Sequence, residues 1–419
     1  MRLMQNSGIE WIGEIPKEWT INSISQLFSQ VKNKNTDLQE TNLLSLSYGK
    51  IKRKNIETTD GLLPDSFDGY NIVELNDIVL RLTDLQNDHK SLRVGLVTER
   101  GIITSAYLTI RNHSESIAKF LYFYLHAFDI SKGFYGMGAG VRQGLNWDGI
   151  KWLKILSPSI PEQQAIADFL DIQCSHIDSV IEKTRATIEE YKRLKQSIIT
   201  QAVTKGIRPN REMKGSGIEW IGEIPEEWDV QKIKFSVKWK SEKGHPNAEV
   251  LSLYRDYGVI PKSSRDDNHN VTSLDTSSYK FVSKGDFVVN KMKAWQGSMA
   301  LSDYEGIISP AYHVCEIINK NINKKYFHYL LRNQLYLPEY LRLSTGMRIG
   351  QWDLSFDDFA NLLFVIPSYN EQQEIVDYID KKIPEIDSLI SKKEQLISEL
   401  EAYKKSLIYE YVTGKKEVV

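Results

Sequence analysis

The sequence predicts an α+β fold assembled from two copies of one plan, each an α/β domain followed by a long coiled-coil segment. Three observations carry that prediction. Residues 7–19 return at 216–228 with a single change, Lys17 to Glu226. Glu162-Gln163-Gln164, Ile177-Asp178-Ser179 and Val203-Thr204 return 209 positions on as Glu371-Gln372-Gln373, Ile386-Asp387-Ser388 and Val412-Thr413. Within each copy the apolar pattern changes from short β-like runs to an alternating three-and-four step, the mark of a helical seam.

Each copy opens on the repeated lead-in segment, in which Trp11 and Trp19 frame Gly13 and Pro16. Two tryptophans around a glycine and a proline read as a rigid, partly buried structural element rather than a binding surface. Residues 41–111 then carry β-like runs at 43–46, 72–73, 78–80 and 102–103, broken by Gly, Asn and Asp; the second copy has them at 250–253, 287–289 and 307–308. Gly101-Ile102-Ile103-Thr104-Ser105-Ala106-Tyr107 pairs with Gly306-Ile307-Ile308-Ser309-Pro310-Ala311-Tyr312. The frameworks agree while the loops between them differ.

Aromatic-rich amphipathic helices are expected at 116–128 and 324–336, packing onto the sheets. Each leads to a glycine-rich turn with an arginine, Arg142 beside Gln143 in one copy and Arg348 in the other. Glycine there lets backbone approach a ligand, and the arginine could reach a phosphate or a guanine edge. A plain turn with a solvated arginine is the alternative reading. No Gly-Lys-Ser or Gly-Lys-Thr follows, so this is not a phosphate loop.

The seam of the first helical segment runs through Ile177, Ile181, Thr184, Ile188, Tyr191, Ile198 and Ala202, with Lys195 as its one charge. The second uses Ile386, Ile390, Ile397, Leu400, Leu407 and Tyr411, with Lys393 and Lys404 as intruders. Each such helix needs a partner. Pro384 suits the first turn of a helix better than its interior, so each segment is expected to split into a short helix and a long one. The long pieces, 175–204 and 384–413, would each span about 45 Å. The resulting domain plan is 1–160, helices at 161–206, a Gly- and Pro-punctuated linker at 207–215, then 216–369, helices at 370–414 and a tail at 415–419.

A chain of 419 residues at 41% hydrophobic can bury more than one core. Cys174 and Cys315 offer no disulfide framework, and no apolar run approaches a membrane span or a secretory signal, so a cytoplasmic protein without a membrane partner is expected. Net charge is only −2, so a surface for a polyanion must come from local clusters of Lys and Arg. Catalytic signatures are missing. The eight histidines are scattered without metal-ligand spacing, no Gly-x-Gly-x-x-Gly follows a strand, and the Asn/Asp-Pro-Pro-Tyr/Phe stretch of an amino-methylating enzyme is absent. His313 beside Tyr312 and Cys315 reads as a core residue; no catalytic or metal-binding residue is assigned.

The Ser-Gly-Ile-Glu-Trp-Ile-Gly-Glu-Ile-Pro opening of each half, the stretch beginning at Gly306, the arginine turns, and Ile160-Pro161-Glu162-Gln163-Gln164 together resemble the DNA-specificity subunit of type I restriction-modification systems. The resemblance covers essentially the whole chain, departing at Tyr369-Asn370, where the family often has apolar or proline residues. It implies two target recognition domains separated by an antiparallel coiled coil of two long helices, each domain reading one half of a split, asymmetric site in double-stranded DNA. It also implies methyltransferase subunits that methylate adenine and restriction/translocase subunits that cut. S-adenosylmethionine, ATP and magnesium would sit on those partners and no cofactor on this chain. Half-sites one duplex turn apart, about 34–36 Å, are within reach of such a spacer.

Base and phosphate contacts are expected in the variable loops. In the first half these are Lys50, Lys52, Arg53, Lys54, Arg81, Lys90, Arg93, Arg142 and Gln143; in the second, Arg255, Lys291, Lys293, Trp295, Gln296 and Arg348. Lysines and arginines mostly hold phosphate, whereas Arg or Gln in bidentate geometry specifies a base. A self-contained nuclease or methyltransferase with an unrecognised motif, and a protein scaffold built on the paired helices, are the competing readings.

Overall fold

The computed structural model describes residues 2–56, 66–137, 144–265, 275–346 and 352–418. The chain divides into two compact units, Met1–Thr184 with Glu394–Val419, and Arg185–Lys393. Each unit holds one α/β domain together with a stretch of both long helices.

In the first unit a four-stranded antiparallel sheet runs in the order Phe28–Gln30, Leu108–Asn112, Ile78–Leu80, Val94–Leu96. Its central strand is covered on both faces. Ile78 and Leu80 join the core formed with helix Ala118–Ile130, while Val79 points the other way into Leu44, Leu46, Val73 and Ile103 of the overlying hairpins. A strand buried on both sides reads as an unbroken apolar run, which is why 78–80 stands out in the sequence. The second unit repeats the order with Val237–Lys240, Tyr312–Ile317, Phe287–Asn290 and Met299–Leu301. There Phe287 and Val289 face the helix-side core and Val288 faces Leu251, Leu253 and Val259. The expected β-runs are all strands.

The repeated motifs join the parts of each unit. The lead-in segments are small hairpins, Met4–Asn6 with Glu14–Pro16 and Met213–Gly215 with Glu223–Pro225, and they bury Trp19 and Trp228. Trp19 Nε1 donates to Glu162 Oε2 at 3.1 Å, and Trp228 Nε1 to Glu371 Oε2 at 3.2 Å. The next residue fastens the helix start to the domain: Gln163 Oε1 accepts from Ile117 N at 2.9 Å and Gln372 Oε1 from Asn323 N at 2.7 Å. The Glu-Gln-Gln repeat is thus a structural clasp, its buried polar groups satisfied in pairs.

The long helices correct the expectation drawn from Pro384. Ile160–Lys205 is one helix of 46 residues and Tyr369–Val412 one of 44, with Pro384 inside it. The proline lacks an amide proton for the carbonyl four residues back, a defect of about 3 kcal/mol. Buried Ile379 and Ile386 lie on either side of it, and their continuous apolar stripe holds the helix in one piece. A second correction concerns the helix expected at 324–336. It stops at Leu331, followed by a 3-10 turn Gln334–Tyr336 and helix Leu337–Leu343. Asn333 breaks it, because its side chain caps Leu335 N at 3.0 Å and donates to Thr200 Oγ1 at 2.8 Å.

Within each unit the two helices run antiparallel. In the first, Phe169 packs on Tyr411 with ring centroids 4.5 Å apart, and Asp178 pairs with Lys404 at 2.6 Å. In the second, Lys195 pairs with Asp387 at 2.7 Å and Lys393 Nζ lies 5.8 Å from the Tyr191 ring centroid. The charged intruders of the seam therefore meet partners on the opposite helix. The two ion pairs are the same pair twice, since Asp387 and Lys404 stand 209 positions after Asp178 and Lys195. The seam isoleucines and leucines are buried or half-buried throughout.

Candidate nucleic-acid interface

Three loop regions border the sheet in each unit. The first is a hairpin, Leu44–Ser47 with Lys50–Arg53, and Leu251–Tyr254 with Gly258–Pro261 in the second unit. The second is the loop leaving the central strand, residues 81–93 and 291–298. The third is the flank of the arginine turn. Gly49 at the first hairpin tip lies so near the loop that an added Cβ would stand 3.1 Å from Leu92 Cβ. Leu145 N, just past the first arginine turn, donates to Leu82 O at 2.8 Å. In the second unit Leu354 N donates to Lys291 O at 2.9 Å, and Thr345 bridges Asp353 across the base of the turn.

The expected cations occupy this surface in three different states. Lys52, Lys54, Lys90 and Lys293 are exposed and make no ion pair among the described residues. Others are engaged within their own unit. Lys50 reaches the helix pair at Asp178, 2.9 Å away; Arg53 clasps Glu99 through Nε at 2.7 and 2.8 Å; Lys291 holds Asp353 at 2.8 Å; and Arg81 faces Asp88 at 3.4 Å. Burial pushes the Asp178 carboxyl up, but hydrogen bonds from Lys404 and Lys50 outweigh it and hold the group below the ordinary carboxylate range. Ser91 and the loop amides bring the Asp88 carboxyl down to about 2. Arg255 is exposed at the second hairpin tip. Arg142, Gln143 and Arg348 lie outside the described residues.

Arg93 is a correction. Expected to reach DNA, it has no exposed surface and turns inward. Its Nη1 donates to Arg81 O and Thr83 O at 3.0 and 2.8 Å, its Nη2 to Asp84 O at 3.3 Å and to Asp88 O, and its Nε to Tyr135 Oη at 3.1 Å. The loop closes around the guanidinium, because five fixed donors satisfy carbonyls that no strand or helix pairs. Tyr135 also stacks on His89, centroids 5.0 Å apart, pinning the outer side of the loop. Trp295 is likewise a loop-builder: half-buried, it donates to Met292 O at 3.2 Å and packs edge-on against Trp352 at 5.1 Å, beside half-buried Gln296.

Sequence reasoning missed the tyrosines of the hairpin tips, Tyr48 at 74% and Tyr257 at 59% exposed. The available signal was Tyr-Gly between two β-runs, present at 48–49 and 257–258. His313, read as a core residue, is buried: its Nε2 donates to Leu354 O at 2.9 Å, and burial lowers its pKa. Among the described residues no group of three His, Cys, Asp or Glu side chains is placed to hold a metal ion. No helix among them is long and apolar enough to cross a membrane.

Comparison with known proteins agrees with this architecture. The family model described as the type I restriction modification DNA specificity domain matches residues 225–402. The type I restriction enzyme MjaVIII specificity subunit of Methanocaldococcus jannaschii is 24% identical, over 96% of this chain and 94% of that protein. A solved structure described as the structural basis underlying complex assembly and conformational transition of the type I R-M system aligns with a TM-score of 0.68 at 13% identity, covering 96% of this chain and 99% of the other. The HsdS subunit from Thermoanaerobacter tengcongensis aligns at 0.51 and 14% identity, covering 96% and 98%. Residues 225–402 thus match the type I restriction modification DNA specificity domain, and over nearly its whole length the chain is similar in sequence and fold to type I specificity subunits.

Proposed function

We propose that this chain reads a bipartite, asymmetric site in double-stranded DNA, one half-site per unit, and brings methyltransferase and restriction/translocase subunits to it. The observation that supports this reading is the contrast between scaffold and loops. Two sheets of identical strand order are bordered by loops with different charged side chains: Lys52, Lys54 and Lys90 in one unit, Arg255, Lys291 and Lys293 in the other. A pair of like scaffolds with unlike loops suits two unlike half-sites, with the lysines holding phosphate and the arginines competent for guanine. Catalysis then belongs to the partners, which carry S-adenosylmethionine for adenine methylation and ATP with magnesium for translocation and cleavage.

Methylome sequencing of cells with and without the gene tests the reading. One bipartite motif with methylated adenines is expected to vanish when the gene is deleted. Methyl transfer or cleavage by the purified chain with partner subunits absent would replace the proposal with a self-contained enzyme. A complex with methyltransferase subunits that retards all duplexes alike would instead favour the scaffold.

A further inference from the structure

The hairpin tips differ in length and charge between the units, yet both keep one dipeptide. Tyr48-Gly49 recurs 209 positions on as Tyr257-Gly258. In the first unit it is a two-residue turn with φ 47° at Tyr48 and 77° at Gly49, between paired strands. Asn-Gly fits such a left-handed pair best. A bulky ring at positive φ is strained there, and packing does not recover the strain, because Tyr48 is 74% exposed. In the second unit the tip has a third residue and a different turn. Tyr257 is nevertheless exposed again, with the Arg265 guanidinium 4.3 Å from its ring centroid.

We infer that Tyr48 and Tyr257 hold the sugar–phosphate backbone of the DNA, the ring covering a deoxyribose and the hydroxyl donating to a phosphate oxygen. The inference rests on the DNA-reading function proposed above. Each tip stands among cations: Lys50, Lys52 and Lys54 follow Tyr48, and Arg255 and Arg265 flank Tyr257. The units change those charged neighbours and keep the tyrosine. A residue kept by two loops that read different sequences serves what the two half-sites share, and that is backbone rather than base edges.

The test uses the full chain assembled with its methyltransferase subunits. Tyr48→Asn relieves the turn, so thermal stability is expected to hold or rise and assembly to be unchanged. Affinity for the cognate duplex should fall about tenfold, and by the same factor on a duplex with one altered half-site base pair. Tyr257→Asn should behave alike, and Tyr48→Phe, which keeps the ring and loses the donor, should fall between. The salt dependence of binding should not change, whereas Lys90→Ala should lower its slope by about one. Undiminished affinity in Tyr48→Asn while Lys90→Ala is weakened would overturn the tyrosine inference and leave DNA reading intact. A changed discrimination ratio would overturn it in favour of base contact, and impaired assembly in favour of a protein contact. Absence of site-dependent binding by the unsubstituted complex would remove the underlying function itself.

Discussion

Replacing Arg93 by methionine keeps most of the aliphatic volume and deletes the guanidinium around which residues 81–93 are wound. Four backbone carbonyls, of Arg81, Thr83, Asp84 and Asp88, lose a charged donor, and Tyr135 loses both a hydrogen bond and a cation 4.9 Å from its ring centroid. Hydrogen bonds to charged groups contribute about 1.5–3 kcal/mol each, offset in part because an expensive buried cation also disappears. Water can reach some of the released carbonyls, since Thr83, Gln86, Asn87 and His89 are exposed. A net loss of about 3–4 kcal/mol, confined to this loop, is the expected balance. Hydrogen exchange reads it directly: loop amides should exchange about 10²–10³ times faster while those of the central strand Ile78–Leu80 keep their protection. In the assembled complex the first unit should lose discrimination at its half-site with little change in the salt slope. Unchanged loop protection, or a slope reduced by one without loss of discrimination, would refute the argument, because the latter is the signature of a direct phosphate contact.

Three further outcomes follow from other sites. Burial raises the Asp129 carboxyl from its ordinary value to about 6, against the pull of the Arg93 amide and charge. A carboxyl with a raised folded pKa stabilises the fold when protonated and loses that contribution as pH rises between about 4 and 6, so Asp129→Asn should gain up to about 3 kcal/mol over the native chain above pH 6 and nothing below pH 4, measured as the difference between denaturation curves. Gly414 ends the second long helix at φ 71°, where an added Cβ would lie 2.4 Å from Pro16 Cδ and 3.1 Å from Trp19; Gly414→Ala should destabilise the first unit by about 2–4 kcal/mol, visible as a lower melting temperature. The half-exposed pair Lys195 and Asp387 should show a coupling of about 0.5–1 kcal/mol in a double-mutant cycle, with Asp387→Lys rescuing much of the defect of Lys195→Glu.

The candidate interface was legible as a region and illegible residue by residue. In the first unit the hairpin of 50–54 meets the loop 81–93 at Gly49 and Leu92, and that loop meets the arginine-turn flank at Leu82 and Leu145; in the second unit Lys291 meets the flank at Leu354. Composition cannot say which way a loop arginine points. Arg81, Lys90 and Arg93 look alike in sequence, yet one faces a carboxylate, one is exposed and one is enclosed by carbonyls of its own loop.

The sequence by itself determined the duplication, the places of the main β-runs and the helical seams. Those features are written in local periodicity and in motifs repeated at constant spacing, so neighbouring residues suffice to express them. Tertiary structure alone decided that Pro384 lies within an unbroken helix, that Lys195 and Lys404 meet aspartates on the opposite strand of the coiled coil, and that Arg93 serves the loop from inside. Each of those outcomes depends on groups far apart in the chain or on the competition between burial and hydrogen bonding, and such energies exist only once the packed neighbours are in place.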